Sequence, residues 1–398
     1  MIYFREKGGE SLVKESIFAG GTAITGIGTS IPTYKLQQDE VFERIAESCR
    51  HDSDITRWAR RIFRQCGVET RYTCEPELLE PAGKCRYLPD ELIMPVPSTA
   101  YRMNVYERES VPLAVHAARE AMADARIGPT NITHLITVSC TGQFLPGLDS
   151  ALIQELGLSS RVNRIPFVFQ GCHAGLKAVQ LARNLAESDA DCKVLIVCVE
   201  LCTIHFQPPT SRETLFGASF FGDGASACIV QTVAGGQEHV FLLGQGHSVL
   251  VPDSRQEMIW RVGDQGFDLY LSPDIPKRLR SFLREETGLL LGGRNLPPLW
   301  AVHPGGRGII DTVRELFALE ESQVACSRNV LKHYGNLSSA TILFVLKEMK
   351  QELAKQNVDR ADGIALAFGP GLTAELMAFA YGSKAEAAQR AGSENAYV

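Results

Sequence analysis

The sequence predicts an α/β layered fold with mixed sheets buried between helices. Short apolar, strand-like runs alternate with longer helical patterns, and this grammar runs twice, once on either side of Val233–His239. A chain of 398 residues is long enough for two such units, each with a closed core. We place an N-terminal half at 17–235 and a C-terminal half at 236–384, an internal duplication without any short solenoid period. Residues 1–16 and 385–398 are polar and read as flexible tails.

In the first half, Ala19–Gly28 is a strand ending in glycine, followed by an amphipathic helix from about Gln37. Val111–Ala125 is helical and His134–Ser139 a strand. Ile165–Phe169 is a strand that runs through Gly171 into a helix over His173–Ala186. Lys193–Cys202 and Ala225–Val230 are further strands. In the second half, Phe241–Gln245 is a strand and Pro273–Thr287 a helix opened by proline. Leu299–Val302 is a strand, with a helix from about Gly308. A long helix covers Ser338–Gln356, and strands Gly363–Phe368 and Ala374–Ala380 flank a Gly-Pro-Gly turn.

Composition is that of a globular protein, 45% hydrophobic and 22% charged. The net charge of −6 gives no global attraction to nucleic acid or anionic membranes. The first sixteen residues lack the apolar stretch of a signal peptide, and no run reaches the roughly 18 apolar residues of a spanning helix. Eleven cysteines, set in apolar runs, read as free thiols in a reducing cytosol, so a cytoplasmic location is expected. The sequon at Asn131 then carries no glycan.

Three short blocks carry chemistry. In Phe169-Gln170-Gly171-Cys172-His173-Ala174-Gly175 a cysteine falls at the first turn of a helix. Unpaired N–H groups there favour the thiolate, which is the nucleophilic form. In Val302-His303-Pro304-Gly305-Gly306 a histidine stands at the carboxyl end of a strand, where a ligand can approach. In Tyr334-Gly335-Asn336-Leu337-Ser338-Ser339-Ala340 an asparagine precedes a helix. Each alone has a plainer reading: a structural thiol, a satisfied loop histidine, a helix N-cap. Together they form a machine, because histidine can pair with a thiolate and an amide can donate to a developing oxyanion.

These three blocks, with Ala367-Phe368-Gly369-Pro370-Gly371-Leu372, resemble the signature blocks of type III polyketide synthases, the chalcone and stilbene synthase superfamily, in a microbial form. The resemblance runs from about Ala19 to Gly382, in order. It implies a thiolase-like, five-layered αβαβα fold and a catalytic triad of Cys172, His303 and Asn336. Cys172 would take an acyl group from a CoA ester, while His303 and Asn336 hold malonyl-CoA as it decarboxylates and condenses. It implies acyl-CoA and malonyl-CoA as partners, no cofactor and no metal, and a homodimer in which Leu145 crosses into the partner subunit. Phe221 matches the family's gatekeeper, and Phe368, Cys140, Cys202, His205, Trp260, Leu269 and Ser338 match cavity positions. Arg61 and Arg64 align with basic residues that hold CoA phosphates, a role that suits guanidinium forks.

Departures from the plant enzymes are Ala367 for a glycine, Cys140 and His205 for threonines, and Trp260 for a small residue. They bear on substrate identity. The matched cavity positions carry no charge, so a fatty acyl starter and a pyrone or phenolic product are expected; a malonyl starter is the alternative. Cys198, Cys202 and His205 read as C-x3-C-x2-H, but strand residues four apart lie about 13 Å from each other, too far for one zinc. A single-condensation ketoacyl synthase would carry His-Gln-Ala-Asn where His303-Pro304-Gly305-Gly306 stands. A non-catalytic CoA-binding protein would not need all three triad residues.

Overall fold

The computed structural model describes residues 21–89, 95–233 and 238–384. The expected junction at 235/236 and both expected tails lie outside the described residues. The first half runs β1 (Gly21–Ser30), β2 (Tyr34–Gln37), α1 (Gln38–Ser48), α2 (Ser53–Gln65), β3 (Thr70–Thr73) and α3 (Thr99–Asp124). It continues through β4 (His134–Ser139), α4 (Leu148–Leu156), β5 (Asn163–Val168), α5 (Ala174–Ser188), β6 (Lys193–Leu201), α6 (Arg212–Phe220) and β7 (Asp223–Val233). The second half runs β8 (Glu238–Leu250), β9 (Met258–Gly263), β10 (Gly266–Leu271), α7 (Ile275–Leu291), β11 (Leu299–Val302) and α8 (Arg307–Leu316). It closes with α9 (Ala325–Tyr334), α10 (Thr341–Lys355), β12 (Arg360–Gly369) and β13 (Thr373–Lys384).

Nine strands form one sheet in the order β11-β12-β13-β8-β1-β7-β6-β4-β5. The duplication is written in this order. In the first half β5, β4 and β6 are parallel and β7 and β1 antiparallel to their neighbours. In the second half β11 and β12 are parallel, and β13 and β8 follow antiparallel. The halves match strand for strand, except that among the described residues the second has no counterpart of β5. They join where β1 pairs β8.

Helices α5 and α10 lie between the two halves of the sheet, α3 covers the outer face of one half and α7 that of the other. These are the five layers. Strand β6 reads Lys-Val-Leu-Ile-Val-Cys-Val-Glu-Leu without polar alternation because helices cover both of its faces. One apolar cluster fills the space around α5 and α10, and two more lie under the outer helices.

Two expected helices have other bounds. The helix expected from Val111 starts at Thr99, capped by Ser98, and continues through Pro112. The helix expected over Ser338–Gln356 opens as a 3-10 turn at Ser338–Ala340 and becomes α-helical at Thr341. The β9–β10 hairpin was not anticipated, although Gly263-Asp264-Gln265-Gly266 is a turn signal.

Candidate active site

The nucleophile position is built by close backbone approach. Gly171 has φ +81, and a Cβ there would lie 2.2 Å from Pro370 Cδ. Gly175, the second residue of α5, would strike the Ser339 carbonyl at 2.2 Å. Only glycine lets α5 and the Ser338–Ala340 turn meet. Cys172 therefore sits at the N-terminus of α5, partly exposed, on the wall of a chamber of about 580 Å³.

His303 follows β11, and its N–H donates to Leu366 O at 2.8 Å, extending the β11–β12 ladder by one residue. Its side chain is buried, lines the chamber, and neither ring nitrogen has a partner. Asn336 is clamped through its backbone: its N–H donates to Phe220 O at 2.7 Å, and Gly222 N–H donates to its carbonyl at 3.1 Å. Its side-chain Oδ1 accepts from Ser338 N–H at 2.8 Å and from Thr341 Oγ1 at 3.3 Å. The turn thus uses the oxygen alone. The amide Nδ2 makes one long contact, 3.4 Å to Gly305 O, and also interacts with the Cys172 thiol, and Asn336 borders the chamber. The N-cap reading fails, since the turn is capped by Leu337 and α10 by Ala340; Asn336 Oδ1 instead ties the chain ahead of the turn.

Burial pushes the Cys172 thiol up to about 11; hydrogen bonds from Ser338 and Asn336 act the other way, and the nearby Glu200 carboxyl adds to the rise. Burial, then the neighbouring His173, holds His303 down at about 3. The resting pair is thus thiol and neutral imidazole. An anion at Cys172 requires a proton acceptor, and an imidazole with two free nitrogens borders the same chamber.

Phe221, Phe368, Cys140, Cys202, Trp260, Leu269 and Ser338 line the chamber. His205 does not; it lines a side pocket of about 230 Å³ that shares Cys202, Phe221, Trp260 and Leu269 with the chamber. Phe267 N–H donates to His205 Nδ1 at 3.1 Å, so Nε2 carries the proton that goes to Thr141 O at 2.7 Å. That ring, stacked on Phe267 at 4.0 Å, is a fixed neutral wall. Ser338 adopts φ +48, left-handed backbone for a residue with a side chain. Arg61 lines a cavity at the chamber mouth, whereas Arg64 is exposed and lines neither space. Among the described residues no three His, Cys, Asp or Glu side chains are grouped to hold a metal ion.

Family models for the N-terminal and C-terminal domains of chalcone and stilbene synthases match residues 10–233 and 243–380. The chain belongs to the chalcone and stilbene synthase family. It is a type III polyketide synthase, an acyltransferase that works on CoA thioesters. Among solved structures it is similar to PKS-I of the brown alga Ectocarpus siliculosus, at 24% identity and a TM-score of 0.82 over 91% of this chain and 98% of that one. It is also similar to the C-terminal type III polyketide synthase domain of Steely1, a type I/III hybrid from Dictyostelium, at 25% identity and a TM-score of 0.81 over 91% and 99%.

The synthase also has a site residue that sequence reasoning missed. Glu200, fully buried on β6, accepts from Cys140 N–H at 3.0 Å, from Thr141 Oγ1 at 2.7 Å, from Cys140 Sγ at 3.3 Å and from Ser339 Oγ. No cation pairs with it among the described residues, and burial raises its pKa. Cys140 Sγ in turn lies 3.1 Å from Ser338 Oγ, so the carboxyl reaches the chamber through two side chains. A lone glutamate inside the apolar run of β6 was the available signal. Among the described residues no helix of the synthase is long and apolar enough to cross a membrane.

Proposed function

We propose that the synthase loads a fatty acyl group from CoA onto Cys172 and extends it with malonyl-CoA to a pyrone or phenolic product. The observation that carries the reading is the convergence of Cys172, His303 and the amide of Asn336 on one largely apolar chamber. Loading begins as His303 takes the thiol proton. The Cys172 sulfur then bonds the starter carbonyl carbon, the carbon–sulfur bond to CoA breaks, and CoA leaves with the proton from His303. Malonyl-CoA next loses carbon dioxide, and the electron pair of the broken carbon–carbon bond becomes an enolate. N–H groups of His303 and Asn336 stabilise its oxygen. The enolate carbon attacks the acyl carbonyl, and the Cys172 thiolate departs. CoA thioesters supply every group, so no cofactor enters.

The fatty starter is favoured by the side pocket, whose lining includes Cys202, Ala218, Phe221, Trp260, Phe267 and Leu269. Polar groups line it too, among them Gln207, Ser211, Asp268 and Glu213, which it shares with the chamber. A chain on Cys172 longer than the chamber would enter past Trp260. A homodimer is favoured by Leu145, 95% exposed, and by Val168 and Phe169, exposed at the end of edge strand β5.

The test is a panel of acyl-CoAs of rising length with malonyl-CoA, read by product mass spectrometry, beside Cys172→Ala. Products from starters of eight carbons or more, absent with Cys172→Ala, are expected. Failure of every starter beyond acetyl would refute the fatty starter; turnover by Cys172→Ala would refute the mechanism. Condensation only with malonyl-carrier protein would place the synthase with single-condensation enzymes.

A further inference from the structure

The nucleophile and its base come from different halves of the chain. Cys172 precedes α5 and His303 follows β11, so their separation is set by whatever ties those two elements together. The base is gauged against β12, because His303 N–H donates to Leu366 O at 2.8 Å. Gly369 lies three residues further along the same strand, and there the nucleophile side makes its own contact. A Cβ on Gly369 would lie 2.0 Å from His173 Nδ1, and its next two neighbours would be Cε1 and Cγ of the same ring. The imidazole of the residue after Cys172 thus rests directly on the β12 backbone.

Gly369 is glycine for the sake of this ring. Its φ lies outside the left-handed range, so no turn demands glycine there, unlike Gly171 and Gly371. His173 is committed to the contact in turn: it is 7% exposed, its Nδ1 has no hydrogen-bond partner, and it does not line the chamber. Nor does its side chain cap α5. A buried ring nitrogen without a partner costs stability, so the ring is not held there by its own hydrogen bonds. The His173 carbonyl accepts from Lys177 N–H at 3.1 Å, which fixes the residue to the first turn of the helix behind Cys172.

On the other flank of Cys172, Gly171 packs on Pro370. Residues 369 and 370 are therefore gripped by both neighbours of the nucleophile. Among the described residues no hydrogen bond joins 171–173 to 368–370, so packing alone sets this fit. The tip beyond is tied down, by Gly371 N–H to Met258 O at 3.0 Å and by Ser254 Oγ to Gly371 O at 2.8 Å. β12 is thus a fixed rule against which both catalytic elements are set.

We infer that His173 is a positioning residue that sets the register between Cys172 and His303, keying α5 onto β12 at Gly369. The inference rests on the reading that His303 takes the Cys172 proton. Burial, then the nearby His173, holds the His303 pKa down, in keeping with two rings set close together.

The test follows alkylation of Cys172 by iodoacetamide in the full-length protein as a function of pH, read by peptide mass spectrometry. That rate reports how readily His303 relieves the thiol of its proton. His173→Ala is expected to slow alkylation at neutral pH about 10- to 100-fold, the cost of a shift of about 1 Å, and to lower kcat with KM for malonyl-CoA held within about twofold. Its pH profile should match that of His303→Gln, with the rate deferred to higher pH. Gly369→Ala should show the same loss, since its Cβ displaces the ring. The pair His173→Ala/Gly369→Ala puts a methyl where the ring was, and should alkylate at least about threefold faster than His173→Ala, a coupling ordinary for residues in contact. Alkylation by His173→Ala within twofold of the wild type overturns the inference, and so does a pair no faster than His173→Ala. Slower turnover in His173→Ala with an unshifted pH profile overturns it as well, since the ring would then serve packing alone. Neither comparison needs Gly369→Ala to fold. Wild-type alkylation and turnover in His303→Gln would instead refute the proposed mechanism, whatever His173 does.

Discussion

The two roles of Asn336 can be separated experimentally. Asn336→Ala removes an Oδ1 that accepts from Ser338 N–H at 2.8 Å and Thr341 Oγ1 at 3.3 Å. At about 1 kcal/mol per buried hydrogen bond the variant should lose about 2 kcal/mol of stability. It also removes the amide donor from the chamber, which should slow malonyl-CoA decarboxylation about 100- to 1,000-fold. Thr341→Val is the control. The Thr341 hydroxyl accepts from Leu337 N–H at 2.9 Å and gives its one proton to Ser338 O at 2.8 Å, with Asn336 Oδ1 farther off at 3.3 Å, so its loss should cost about 2 kcal/mol while leaving the amide in place. Stability is read from urea midpoints and decarboxylation from release of carbon dioxide. Acylation of Cys172, followed by intact-protein mass spectrometry, should fall less than about tenfold in Asn336→Ala, because thiol and imidazole remain. If Asn336→Ala decarboxylates within threefold of the wild type, Asn336 ties the turn and does nothing more. If Thr341→Val loses as much activity as Asn336→Ala, the loss reflects the turn and not the donor.

His303, held at about 3 against an ordinary 6.5, is neutral in the fold, so the stability it contributes is full above pH 6.5 and lost as pH falls. Relative to His303→Gln, the wild type should therefore lose about 2 kcal/mol between pH 7 and pH 5, and denaturation curves that stay parallel would sink the assignment. Gly171→Ala places a Cβ 2.2 Å from Pro370 Cδ at φ +81 and should shift Cys172, lowering its acylation rate at least about 100-fold; wild-type acylation would mean the loop yields freely. Trp260→Ala opens the partition between chamber and side pocket and should raise turnover of the longest accepted acyl-CoA, whereas an unchanged length profile would show that the pocket is not used. Leu145→Asp puts a charge at the exposed apolar patch and should shift the sedimentation mass from twice that of the chain to once; an unaltered mass would exclude this contact.

Much of the fold was legible because its strands are buried on both faces and stand out as apolar runs. Strand β11 was placed at both ends, since a proline-rich lead-in and the His303-Pro304 step bound it. The β9–β10 hairpin was not, because it is half exposed and mixes Trp260 with Arg261, and Phe267 with Asp268. The site was legible where chemistry coincides with chain punctuation: Cys172 after Gly171, His303 at a strand end, Asn336 before a turn. Glu200 carries no such marker. It is a carboxyl whose meaning depends on donors from two distant segments, Cys140-Thr141 and Ser339. Arg64 illustrates the converse, since a basic residue on the expected helix takes its direction from the helix face, and that face is solvent.

The duplication explains why the site lies where it does. In each half one helix lies between the two halves of the sheet and leads into a parallel strand, α5 into β6 and α10 into β12. Their N-termini meet at Gly175 and Ser339, so positive helix ends from both halves converge on one point. Cys172 precedes α5 and Asn336 precedes the turn into α10, so nucleophile and amide occupy corresponding places. Cys140 follows β4 and His303 follows β11, which are likewise the second large-sheet strands of their halves. The residues at each pair of places differ. Divergence within the pairs makes one helix end a nucleophile and the other a donor, and one strand end a base and the other a thiol held by Glu200. On that argument exchanging Cys140 and His303 should preserve packing better than exchanging either with a residue of the outer layers. It should still abolish condensation, because the base would then stand beside a buried carboxyl that pairs with it instead of with the Cys172 proton.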